Sequence, residues 1–133
     1  MPTVTPNLAQ DFIAAFNTLA DVAHVNSRSK GFWNVAAHHE EEPNEETSKQ
    51  LEIVWKLSRI ALIQSEASEA VEGIRKGLRD DHLPQYSMEA TELADVVIRI
   101  LDYAGAYNLP LGEIIVEKMN YNSSRPYMHG KKA

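Results

Sequence analysis

At 133 residues and 14.9 kDa, with 44% hydrophobic and 24% charged residues, the chain has the size and make-up of one globular domain over residues 1–133. Its net charge of −6 is concentrated in residues 40–117, where seventeen acids face seven bases, while residues 118–133 hold four bases and no acid; that balance argues against docking along a nucleic-acid backbone and favours hard divalent cations. Cysteine is absent, no apolar run approaches the ~20 residues of a membrane helix, and the opening segment has neither the basic nor the apolar part of a signal peptide, so a cytoplasmic protein without disulfides or thiolate zinc is expected.

Asn7 is a reasonable N-cap for a first helix whose apolar positions Leu8, Phe12, Ala15, Phe16, Leu19 and Val22 follow helical spacing. The glutamate-rich stretch at about residues 40–46, broken by Pro43, reads as a solvated connector. Thr47 or Ser48 then caps a long helix ending near Gly77 and Leu78. Ser87 caps a third helix that runs to Tyr107, where Asn108-Leu109-Pro110 breaks it. A short helix from Leu111 to about Tyr121 precedes an irregular basic tail over about residues 123–133. Strand-like alternation is not sustained anywhere. The fold class is all-α, a four-helix-bundle-like arrangement.

Two acid pairs stand out, Glu66-x-x-Glu69 in the second helix and Glu92-x-x-Asp95 in the third. A spacing of three puts each pair on one helix face, and at ~100° per residue each borders an apolar stripe. If the two helices are antiparallel neighbours, four carboxylates converge, and such a group requires cations or protons. Oxygen-only ligands favour Mg²⁺ or Mn²⁺ over zinc. The same spacing also allows ordinary surface ion pairs with Arg59, Arg99 or Lys118. A ferritin-like di-iron site is set aside, because neither pair supplies the histidine of a Glu-x-x-His motif.

The ordered combination resembles MazG-like all-α nucleoside triphosphate pyrophosphohydrolases. It is carried by residues 62–70 around Glu66 and Glu69, residues 92–99 around Glu92 and Asp95, and residues 118–126 around Lys118, Asn122 and Arg125. The fuller family pattern has another glutamate just before the first pair, where this chain has Ser65. The resemblance implies metal-dependent hydrolysis of a nucleoside triphosphate, usually a deoxynucleotide, to the monophosphate and pyrophosphate. It assigns Glu66, Glu69, Glu92 and Asp95 as Mg²⁺ or Mn²⁺ ligands and catalytic acids. Lys118, Asn122 and Arg125 become donors to phosphate oxygens, although Asn122 also suits a helix cap.

Lys30-Gly31-Phe32-Trp33-Asn34 resembles a segment of one branch, in which Trp33 would stack on a base and Asn34 would read its edge. Core packing or a subunit contact serves Trp33 equally well. Trp55 is a second stacking candidate, and His38 and His39 read as loop residues. Some phage members of that branch act on dGTP, which makes dGTP the first substrate to try and the cytoplasm of a bacterium or a phage-infected cell the expected setting. Family members are homodimers or homotetramers with sites shared between subunits, and Gly73-x-x-x-Gly77 is consistent with close helix approach. The alternative function is a non-catalytic helical module that senses a nucleotide or binds another protein.

Overall fold

The computed structural model describes residues 2–33 and 44–130, and every regular element among them is helical. Helix α1 spans Pro6–Ser29, α2 Glu45–Lys76, α3 Met88–Tyr107 and α4 Leu111–Ser124, followed by one 3₁₀ turn at Tyr127–Gly130. No described helix is long and apolar enough to cross a membrane.

The helix starts differ from expectation for local reasons. Thr5, not Asn7, caps α1: its hydroxyl accepts from Leu8 N at 3.3 Å, and Pro6 occupies the first position, where a missing N–H costs nothing. Asn44 caps α2 by accepting from Thr47 N at 2.8 Å. Glu45 and Glu46 therefore belong to the first helical turn, where the helix dipole favours acids, and not to a connector. Residues 40–43, with Asn34, His38 and His39, lie outside the described residues. Ser87 caps α3 as expected. The tail is more regular than expected, because Ser123 and Ser124 donate to the carbonyls of Asn120 and Tyr121 and carry α4 to Ser124. Arg125 then turns extended ahead of Pro126.

Helix α3 is the shared wall of the molecule, packed along both α1 and α2, while the main partner of α4 is α1. The buried core is small: Ala20, Leu101 and Ala104, with Phe16, Ala23 and Leu111 packed around it. Small residues set how closely α3 approaches its neighbours. A Cβ on Gly105 would overlap the Ala20 carbonyl oxygen of α1, and one on Gly73 would lie 2.9 Å from Met88 Cβ at the start of α3. Gly77 takes φ +62 to end α2 in a left-handed cap. The Gly73/Gly77 spacing thus serves the α2–α3 corner within one chain, and it gives no support to association between chains.

Much apolar surface remains uncovered. Helix α2 carries apolar residues around its whole circumference, and Ile53, Leu57 and Ile74 are 58%, 65% and 60% exposed. Leu93, Val97 and Ile98 of α3 are also exposed.

Candidate metal and nucleotide site

The α2–α3 corner fixes the register of the two acid pairs. Asp80 accepts from His82 N and Leu83 N at 2.9 and 2.7 Å and from the Thr91 hydroxyl at 2.9 Å, tying the loop to the first turn of α3. These bonds, the Leu83 amide foremost, hold the Asp80 carboxyl below its ordinary value. Met88 N donates to Leu78 O, and Arg79 and Ser87 form a single antiparallel bridge. The helices then run antiparallel, so that Glu66 of α2 meets Glu92 and Asp95 of α3.

One carboxylate oxygen from each of Glu66, Glu92 and Asp95 lies within 4.8 Å of the others. Glu66 and Glu92 are half-buried and Asp95 is exposed. Desolvation first, then a hydrogen bond to Glu66 and the negative fields of Glu66, Asp95 and Glu69, pushes Glu92 up to about 7. Asp95 is also raised, by burial and by Glu66, with Arg99 opposing. Glu69 is exposed and outside the close triad, although near enough to act on Glu92. Arg99 Nε donates to Glu66 Oε1 at 2.6 Å, so one of the surface ion pairs allowed by the spacing is realised at the centre of the cluster. The donor set fits Mg²⁺ or Mn²⁺: three carboxylates, no nitrogen or sulfur, and a crowding of negative charge that raises Glu92 and Asp95.

A cleft of about 370 Å³ opens beside the cluster, between the C-terminal end of α1, α2 and α3. Its carboxylate end carries Glu66 and Asp95, and its far end Trp33, Arg59, Asp102 and Tyr103. Trp33 is held from behind: Nε1 donates to the Asp102 carboxylate at 3.0 and 3.1 Å and to Ser27 Oγ at 3.1 Å. His24 Nδ1 lies 3.0 Å from the same carboxylate, and the His24 and Tyr107 rings pack edge-on to the indole. The Arg59 guanidinium covers one indole face at 4.2 Å and donates to the Phe32 carbonyl. Trp33 is therefore a packed residue that also forms a wall of the cleft. Beyond it, Lys56 stands 4.6 Å over Tyr107, whose hydroxyl is pushed up to about 12, first by burial and then by Glu52.

Other sequence expectations fall elsewhere. Trp55 is half-buried and does not line this cleft. Lys118, Asn122 and Arg125 lie on or just after α4, with Lys118 and Arg125 flanking the Tyr121 ring at 5.6 and 5.8 Å. Val4 N donates to Asn120 Oδ1 at 2.8 Å, which pins this end of α4 to the start of α1. The cleft begins at Ala23, roughly 25 Å further along α1 at 1.5 Å per residue. Within one chain these three donors do not meet the carboxylates.

Arg59, weighed from the sequence only as an ion-pair partner, and Asp102 both lie on the acid faces of their helices. Each is seven residues from a triad acid, Arg59 before Glu66 and Asp102 after Asp95, so each shares its helix face. The bond from Asp102 to Trp33 spans 69 positions and has no such local sign. No protein-family model, curated protein or solved structure matches the chain.

Proposed function

We propose that the protein is a metal-dependent nucleoside triphosphate pyrophosphohydrolase of the MazG-like kind, releasing a nucleoside monophosphate and pyrophosphate, with dGTP the first substrate to test. The observation that carries the reading is the close triad of Glu66, Glu92 and Asp95 at one end of a cleft whose other end is aromatic and cationic. That polarity suits an amphiphilic anion bound through cations at its phosphates and through stacking at its base.

Glu66, Glu92 and Asp95 would hold Mg²⁺ or Mn²⁺. When bound, the ion supplies Lewis acidity, lowering the pKa of a water and neutralising phosphate charge. Glu69, outside the triad and exposed, is the acid left to take the proton as water attacks the α-phosphorus and the bond to the β-phosphate oxygen breaks. A base would stack at the Arg59–Trp33 end, where the guanidinium covers the indole, while Asp102 keeps the indole oriented from behind.

The reading includes a second copy of the chain. Helix α2 carries apolar residues among its charges on every side, and the exposed Ile53, Leu57, Val97 and Ile98 need a cover. Lys118, Asn122 and Arg125 stand roughly 25 Å from their own cleft and reach phosphate only if a partner presents them. Product analysis over NTPs and dNTPs, with Mg²⁺, with Mn²⁺ and with chelator, tests the whole reading. Metal-dependent monophosphate plus pyrophosphate supports it; silence across the panel from a folded oligomer returns the protein to a sensing or interaction module.

A further inference from the structure

Arg99 is placed for more than an ion pair. Every other Lys or Arg ion pair among the described residues lies within α2: Lys49 with Glu45, and Arg75 and Lys76 with Glu72. Arg99 alone crosses between helices to a carboxylate of the triad, with Glu66 only 16% exposed and Arg99 itself 38% exposed. It follows Asp95 by one turn of α3, towards the aromatic end, and it lines the same cleft as Arg59 and Lys30. Its guanidinium therefore stands between the carboxylates and the space a polyphosphate would fill.

A guanidinium cannot shed its charge, so it cannot share Glu66 with a divalent cation without strong repulsion. Its stem is long and partly solvated, and rotation about its own side-chain bonds suffices to move the head into the cleft. There the planar fork matches phosphate oxygens. We propose that Arg99 has two positions in the site inferred above: seated on Glu66 when the metal is absent, and turned into the cleft onto polyphosphate oxygens when a divalent cation takes Glu66. The proposal rests on the metal-site reading and adds to it that metal and polyphosphate bind with positive coupling through one side chain. In the empty protein the arginine competes with free cations, and in the loaded one it is a phosphate ligand.

The test uses Mn²⁺ alone, followed by paramagnetic resonance, and then the Mn²⁺ complex of inorganic pyrophosphate titrated by calorimetry. Arg99→Gln should bind Mn²⁺ about fivefold more tightly than the unaltered protein, because a competitor in a partly exposed pair is gone. It should bind the pyrophosphate complex about tenfold more weakly, because a charge-assisted donor is lost. Arg75→Gln, which removes an equal charge from the outer side of α2, should move neither value. The opposite signs are the signature, since an arginine that only braces the fold would weaken both on removal.

Mn²⁺ binding that is unchanged or weaker in Arg99→Gln, with helicity intact, overturns the two-position role and leaves the metal site standing. Failure of both proteins to bind Mn²⁺ removes the metal site and the proposal together. If Arg99→Gln does not fold, Arg99→Lys decides: it keeps the charge without the fork, so Mn²⁺ affinity stays near the original while pyrophosphate affinity falls. A Lys variant that matches the original in both overturns the proposal.

Discussion

The pH dependence of metal binding follows from the position of one carboxyl group. Glu92, raised from an ordinary 4.5 to about 7 by desolvation and by the charge of its neighbours, holds a proton that a metal ion must displace. For one competing proton, affinity scales with the deprotonated fraction. That fraction is about nine-tenths at pH 8 and about one-tenth at pH 6, so Mn²⁺ binding should weaken about tenfold between them. Near pH 7, loading should release about half a proton per site, measurable by calorimetry in two buffers of different ionisation enthalpy. Glu92→Gln should flatten the pH profile and bind Mn²⁺ weakly throughout. An affinity independent of pH between 6 and 8 in the unaltered protein would refute the reasoning, because it would mean that Glu92 is already ionised. Folding stability of the metal-free protein runs in the opposite direction. A raised carboxyl stabilises the metal-free fold fully below about 4.5, and the contribution is lost as pH rises through about 7. Asp80, held below its usual 3.8, acts oppositely: its contribution is present above that value and lost as pH falls further. Added Mn²⁺ should therefore raise Tm more at pH 8 than at pH 6.

Glu66→Gln should lower turnover at least about a hundredfold with helicity unchanged, since it removes the ligand shared by the triad and Arg99; undiminished turnover would exclude this metal site. Mixing Glu66→Gln with Arg125→Ala subunits, each inactive alone, should restore about a quarter of full activity in a dimer if phosphate donors act across copies. No recovery after verified subunit exchange would place Arg125 outside the site. Gly105→Ala should cost about 1–3 kcal/mol, because the added methyl meets the Ala20 carbonyl oxygen and His24 Cβ at the α1–α3 contact. Thermal melts check this, and an unchanged Tm would show that α1 and α3 can separate at little cost.

What could be read from the sequence was whatever the helical repeat encodes. The Ser87 cap, the breaks at Gly77 and Asn108 and the convergence of Glu66 with Glu92 and Asp95 all follow from spacing within single helices and one short corner. The helix starts were misjudged where several cap-forming residues compete within a few positions, as with Thr5 against Asn7 and Asn44 against Thr47. The different placement of Glu69, outside the close triad, has no sign in the spacing. Residues three apart share a face, but which of them approaches the partner helix depends on how the two helices cross, which spacing within one helix does not state. The distance of Lys118 and Arg125 from the acids of the same chain had no local sign, because nothing within α4 states that it lies along the start of α1.

The shared wall formed by α3 has a consequence for how the molecule comes apart. Acid triad, aromatic anchor and buried core all lean on one twenty-residue helix, whereas α4 is attached chiefly to α1. Openings of the native state are thus unequal in size. Detachment of α4 leaves the carboxylates and Trp33 assembled, while any excursion of α3 dissolves cleft and core in the same event. In hydrogen exchange the amides of α3 mark the global limit, and α4 belongs to a smaller cooperative unit that opens without it. Lys118 and Asn122 ride on that smaller unit, so their positions follow α4 and not the helix that carries Glu92 and Asp95.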